Sequence, residues 1–351
     1  MLISFIHNLI LCSILILLSI YLLTFSIKYR KSNQYGFNSA IITAFILVAL
    51  GIALVIFDFL VPYPLNAAIN VWLGIIFAAQ ALYFLIIKFK FREGGNKENI
   101  EEASYEEGEL KLKREYLRKS FHTVILLVAF CYFFLAFLIN DFVYDYIYLA
   151  DPELYYSIWG TSEYPLPPAT SNDVMITFNW TFMFFLCAIL LLIIPDIFRI
   201  YNRKYSLFSG VYKKVIRMKE LYSVGPQIYL TLACTFVFLL AILGIFIPGV
   251  AIAGMMIAAF GDAAAAIFGR KFGTHKFDTI LQKEEKKSYE GFVAGVGVSF
   301  LVALFFVGPF LALLGAITFG IIDYLNPKIA DNILNPIFCS ITMMIPFWIT
   351  M

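Results

Sequence analysis

Residues 249–292 read GVAIAGMMIAAFGDAAAAIFGRKFGTHKFDTILQKEEKKSYEGF. The first twenty of these, 249–268, are apolar except for Asp262, and about 20 apolar residues are what a helix needs to cross a hydrocarbon core. A glycine-punctuated basic loop follows, and Lys287-Ser288-Tyr289-Glu290-Gly291 then leads into another apolar stretch. A carboxylate inside a membrane span is costly, so its default reading is functional. The stretch therefore implies a membrane helix bundle and marks where its chemistry lies.

The rest of the chain agrees. Of 351 residues, 61% are hydrophobic and 14% charged, with a mean hydropathy of +0.84. That balance excludes a soluble globular domain. Ten apolar stretches can be read, at 2–27, 39–61, 66–87, 121–140, 174–197, 224–247, 249–268, 291–308, 309–323 and 332–350. Only Gly308-Pro309 divides the eighth from the ninth. The expected fold is an all-α polytopic transmembrane bundle of about ten spans with its N-terminus outside.

Charge placement supports that threading. The five segments it puts inside, 28–38, 88–120, 198–223, 269–290 and 324–331, hold 3, 9, 7, 6 and 1 Lys or Arg, which is all 26 in the chain. This is the positive-inside pattern. The outer loop 141–173 has neither Lys nor Arg but carries Asp141, Asp145, Asp151, Glu153, Glu163 and Asp173. The first stretch lacks a basic start and a small-residue cleavage site, so it reads as a retained span and not as a signal peptide. The five cysteines lie singly in apolar runs, with no metal or redox spacing. The acceptor-like Asn179-Trp180-Thr181 is inside a span and inert as a glycosylation site.

Three modules follow. Residues 1–90 form a three-span segment with little ionisable content; 91–115 is a charged inner linker; 116–351 holds seven spans and every candidate motif. Within 199–223, Leu207, Val211, Val215, Met218 and Tyr222 recur at helical spacing and predict an interfacial helix. No internal repeat is visible, which weakens a transporter built from inverted repeats.

Polar residues collect at the inner ends of the spans. Arg118, Lys119 and His122 open the fourth, Asp196 and Arg199 close the fifth, and Glu220 precedes the sixth. Asp262 lies about two turns inside the seventh. Lys287, Ser288 and Glu290 open the eighth, Asp323 closes the ninth, and Asp331-Asn332 opens the tenth. Carboxylates with Lys, Arg and His in one plane suit a metal–phosphate site. Mg²⁺ takes one or two carboxylates and fills its shell with substrate phosphates and water; Asp262, Asp323, Asp331 and Asn332 are the candidate oxygen ligands. Arg270, Lys271, Lys276 and Lys287 can stabilise phosphate charge. Gly261, Gly269, Gly273 and Gly291 would let backbone amides approach phosphate oxygens. Plainer readings exist for several of these. Inner-end Lys and Arg obey the positive-inside pattern in any case. The Gly291/Gly295 pair and the Ala263–Ala266 run suit close helix packing. Asp196 and Arg199 are spaced as an i,i+3 ion pair.

Arg118-Lys119 with His122, Asp196 with Arg199, Gly261-Asp262-Ala263 followed by Gly269 and Gly273, Lys287-Ser288 with Glu290-Gly291, and Asp331-Asn332 with Pro336 together resemble the CTP-dependent polyprenol kinase family. That family includes dolichol kinases, phytol kinases and a CTP-dependent diacylglycerol kinase. The resemblance covers about residues 115–351. It implies transfer of the γ-phosphate of CTP to the hydroxyl of a membrane lipid alcohol, dolichol or another polyprenol, with Mg²⁺. It places the nucleotide on the loop after Asp262, with Asp196, Arg199, Gly261, Gly269, Arg270, Lys271, Gly273, Lys287, Ser288, Glu290 and Gly291. It places the chemistry at Asp262, His122, Lys119 and Asp323, and the metal at Asp262, Asp331 and Asn332. One position departs: Asp323 stands where the family usually has Glu, eight residues before the Asp-Asn pair. The runner-up is a membrane cytidylyltransferase making a CDP-lipid, although the Lys-Asp motif followed by Gly-His-Gly-Gly is absent. A transporter using Asp262 as an ion site is the third reading. Nucleic acid is not an expected partner. The host membrane would be the endoplasmic reticulum or a prokaryotic plasma membrane, with the site on the cytoplasmic side.

Overall fold

The computed structural model describes residues 2–61, 63, 65–93, 116–117, 119–120, 138, 171–201, 205–210, 223–282 and 286–350. In chain order the helices are α1 (Leu2–Lys28), α2 (Gln34–Ile56), α3 (Leu65–Glu93), α4 (Ser171–Tyr201), α5 (Pro226–Ile242), α6 (Pro248–Met256), α7 (Asp262–Phe272), α8 (Tyr289–Leu304), α9 (Pro309–Leu325) and α10 (Asp331–Thr350). A π-helical turn, Ile257–Gly261, makes α6 and α7 one continuous rod. The chain is an all-α helical membrane protein. Six helices are long and apolar enough to cross a bilayer: Leu2–Lys28, Gln34–Ile56, Leu65–Phe89, Trp180–Tyr201, Pro248–Phe272 and Asp331–Thr350. Pro226–Ile242, Tyr289–Leu304 and Pro309–Leu325 are shorter and equally apolar. These match nine of the ten apolar stretches. The tenth, 121–140, falls outside the described residues apart from 138, as do residues 94–115 of the expected 91–115 linker and most of the expected interfacial helix; residues 91–93 continue α3.

The boundaries follow local chemistry. Asn33 caps α2, its side chain accepting from Gly36 N at 2.8 Å. Pro226, Pro248 and Pro309 sit in the first turns of α5, α6 and α9, where a missing N–H costs nothing. Gly308-Pro309 therefore does break one apolar run into two helices. α9 ends on Asn326, whose φ of 46° is left-handed and whose N–H returns to Ile322 O.

One apolar core runs from α1 through α10. Large apolar residues such as Phe45, Val71, Leu301 and Phe305 remain exposed on the outer surface, as lipid contact requires. The three leading helices pack onto the rest. α3 lies along α4, with Trp72 Nε1 donating to Cys187 O at 3.2 Å, and buried Gln80 accepting from Leu207 N at 3.0 Å. α2 reaches α5, and its Ser39 Oγ accepts from Ala330 N at 2.9 Å. The N-terminal segment thereby fixes the connection that leads into Asp331.

The only strands among the described residues form a short antiparallel hairpin within the basic loop. β1 (Lys276–Asp278) pairs with β2 (Lys286–Ser288), with Phe277 opposite Lys287. From the sequence alone this segment is expected as loop.

Candidate functional site

Two helices meet here through small residues. Gly261, Ala265 and Gly269 lie four apart on the π turn and α7; Gly291, Gly295 and Ser299 lie four apart on α8. A Cβ on Gly261 would come within 2.1 Å of Ser299 Oγ, one on Gly295 within 2.8 Å of Ala265 Cβ, and one on Gly291 within 2.8 Å of Gly269 Cα. This is the small-residue packing that membrane helices use for close approach. The space beside Gly261, Gly269, Gly273 and Gly291 is filled by protein atoms, so these four act here as packing glycines. Gly291→Val should destabilise the protein by about 1–3 kcal/mol, because Ala265 O already lies 2.6 Å from where its Cβ would sit. A lowered thermal midpoint in detergent checks it; an unchanged midpoint would contradict the packing role.

That packing brings Asp262 and the start of α8 together. Asp262 Oδ2 accepts from Lys119 Nζ, and the Lys119 side chain is only 4% exposed. The π turn directly before Asp262 adds a residue to the helical repeat, a distortion often found at functional sites. A second pair stands nearby. Lys287 Nζ donates to Asp323 Oδ1 at 2.7 Å and to Asp323 O at 2.9 Å. Asp262 and Asp331 both lie within electrostatic range of Asp323. The structure thus brings Asp262, Asp323, Asp331, Lys119 and Lys287 into one neighbourhood from four separated parts of the chain.

Asn332 extends this group inward. It is 1% exposed; its Nδ2 donates to Pro226 O at 3.3 Å, and its Oδ1 has no partner among the described residues. Beside it, Asn335 Oδ1 and Gln227 Oε1 are also buried and unpartnered. Neither was singled out from the sequence, although a carboxamide inside an apolar helix is itself a signal. Among the described residues, no three of His, Cys, Asp and Glu converge as a metal cage would require. The donors fit a different arrangement: a hard cation held by one or two carboxylates, an amide oxygen and substrate phosphates. Asp262, Asp331 and Asn332 carry oxygen atoms of the types such a cation would take.

The hairpin is built by Glu290 and Ser288. Glu290 Oε1 accepts from Thr274 Oγ1 at 2.7 Å, Thr274 N at 3.2 Å and His275 N at 3.1 Å, and His275 Nδ1 lies 2.9 Å away. Ser288 caps α8, accepting from Gly291 N at 3.2 Å. Phe277 packs against Tyr289, Phe292 and Tyr324, and Leu281 N donates to Leu325 O at 3.0 Å, so the hairpin is docked on the end of α9. Arg270 and Lys271, in the last turn of α7, and Lys276, in β1, are exposed above it. Glu290 organises this loop through Thr274 and His275, which no motif in the sequence marks.

Asp196 and Arg199 sit elsewhere in character. They are 0% and 2% exposed. Arg199 donates to both carboxylate oxygens, at 2.5 and 3.1 Å, and to Ser223 O, while Gly225 N donates to Asp196 Oδ2 at 2.9 Å. The pair ties the end of α4 to the start of α5. His122, Arg118 and Glu220 lie outside the described residues.

Fold and site together define an all-α membrane protein with paired Lys and Asp residues at one end of its helices, beside a lysine-bearing hairpin flanked by glycines. No protein-family model, no curated protein and no solved structure matches the chain.

Proposed function

We propose that this chain is a CTP-dependent lipid-alcohol kinase, acting on dolichol or another polyprenol. Ten spans would place the N-terminus outside and the site at the cytoplasmic face of the endoplasmic reticulum or a prokaryotic plasma membrane. The observation that carries the reading is the meeting of Lys119–Asp262 and Lys287–Asp323 beside the basic hairpin. Phosphoryl transfer is mostly positioning and charge stabilisation, and these groups supply both. The sequence resemblance adds the substrate class.

In this reading Lys119 and Lys287 turn from their carboxylates to the phosphate oxygens of the nucleotide, and exposed Arg270 and Lys271 draw the triphosphate in. Mg²⁺, held by Asp262, Asp331 and Asn332, would neutralise charge on the β- and γ-phosphates. The lipid hydroxyl oxygen forms a bond to the γ-phosphorus, the bond from that phosphorus to the bridging oxygen breaks, and CDP leaves. The hydroxyl proton passes to a carboxylate of the cluster or to His122.

Purified protein in detergent, offered Mg²⁺, a panel of lipid acceptors and CTP labelled at either the α- or γ-phosphate, tests this. Label should enter a prenol from the γ position alone. Entry from the α position alone would mean a cytidylyltransferase. Nucleotide-independent solute flux in proteoliposomes, with no transfer of either label, would favour a transporter.

A further inference from the structure

A second polar site lies in the three leading helices, away from the cluster above. Ser4, His7 and Asn8 stand at the start of α1, Asp58 in the turn between α2 and α3, and Asn66 and Asn70 one helical turn apart at the start of α3. Ser4 Oγ and Asn8 Nδ2 donate to Asp58 Oδ1 at 2.6 and 2.8 Å. Asn66 Nδ2 donates to Ser4 O and Ser4 Oγ, both at 3.0 Å, and to Asn8 Oδ1 at 3.2 Å. Asn70 Nδ2 donates to His7 Nδ1 at 3.0 Å and His7 O at 3.2 Å. Asn66 and Asp58 therefore share the same two partners.

These bonds explain how three membrane helices are stitched together. They do not explain what is left over. Every amide N–H of Asn66 and Asn70 points at an acceptor, which fixes both carboxamides, and both Oδ1 atoms are buried with no partner. Asn66 is fully buried and Asn8 is 1% exposed. Asp58 is the single acid in the first 92 residues. Among the described residues no Lys or Arg pairs with it, and its side-chain hydrogen bonds all reach Oδ1, leaving Oδ2 without a partner there. Lys28, Arg30 and Lys31 lie at the far end of α1, about 36 Å away at 1.5 Å per residue. The cluster thus has one exposed carboxylate with no cationic partner among the described residues, and two buried carbonyl oxygens without a donor on the adjoining first turns of α3. Ser4, Asn66 and Asn70 spend their donors within the cluster, and acceptor oxygens are what is left over.

We propose that this site binds a small cation, an alkali-metal ion or a primary ammonium, through Asp58 and the carboxamide oxygens of Asn66 and Asn70. Oxygen-only ligation by carboxylate, amide carbonyl and hydroxyl groups is what a hard cation selects, and an ammonium would donate to the same atoms. The inference does not depend on the kinase reading.

The test measures the thermal unfolding midpoint of the full-length protein in detergent at constant ionic strength. Sodium, potassium and ethanolammonium chlorides are compared with N-methylglucamine chloride, whose cation is too bulky for the site. A saturable rise with at least one small cation is expected. Its half-saturating concentration should increase at least tenfold in Asp58→Asn, which keeps the shape and the Oδ1 acceptor while removing the charge. Asn70→Ala, at a half-buried position, should weaken the response too and serves if Asp58→Asn does not fold. Protein in nanodiscs of phosphatidylethanolamine or phosphatidylcholine separates a lipid ammonium from a free ion: a higher midpoint only in the former assigns the lipid. Equal midpoints in all four salts and both lipids would mean that only water fills the site and would overturn the proposal. So would a small-cation response left intact in the variants.

Discussion

Asp262→Asn should reduce γ-phosphate transfer from CTP to the lipid alcohol by about 10²–10³-fold, the loss seen when one preorganised charge-stabilising group is removed from an active site. The change keeps the side chain's shape and leaves an amide oxygen to accept from Lys119, whose ammonium is buried beside it. What it removes is the negative charge. A purely structural ion pair would behave differently from a catalytic one, and a swapped pair separates the two. Lys119→Asp with Asp262→Lys restores opposite charges across the same gap, so the thermal midpoint should recover relative to either single variant. Transfer should not recover, because the cation and the carboxylate would then face the wrong groups. Full activity in folded Asp262→Asn, or activity rescued by the swap, would remove Asp262 from the chemistry and the kinase proposal with it.

What made Asp262 legible in the sequence was its setting: one carboxylate in an apolar run leaves few structural explanations. The helices were legible for the same reason. Nine described helices coincide with apolar stretches because length and hydropathy alone specify a membrane helix. Features set by tertiary contact were less so. Gly261, Gly269 and Gly273 could cradle a phosphate or admit a neighbouring helix, and composition is the same in both cases; only the position of Ser288, Ser299 and Gly291 decides it. The hairpin strands are three residues each, too short for any alternating pattern to announce them. The π turn has no residue signature, since Ile257–Gly261 is as apolar as the helix around it. The polar cluster at Asp58 was hidden by distance, its members being scattered from Ser4 to Asn70, and Ser and Asn count little in a charge survey.

Arg199→Met should destabilise the protein by about 3–5 kcal/mol, the loss expected when one partner of a buried ion pair is removed and the other charge is stranded. Asp196 would be that stranded charge: it is fully buried, and its remaining protein donor would be the Gly225 amide at 2.9 Å. The same substitution also takes the donor from Ser223 O, loosening the chain just before Pro226. Pro226 O is the acceptor for Asn332 Nδ2, so the damage leads along hydrogen bonds from α4 to the start of α10 and the site. Asp196→Asn with Arg199→Met should recover part of the stability, because the amide keeps the acceptor for Gly225 and the Asp196 charge is no longer stranded. These outcomes distinguish two roles for the pair. If Asp196 and Arg199 hold helices together, the single variant lowers the unfolding midpoint, and the double variant regains midpoint and transfer activity in parallel. If instead they touch the nucleotide, the double variant regains stability while its KM for CTP stays raised. The inward-turned geometry, with both carboxylate oxygens already engaged by Arg199, selects the first result.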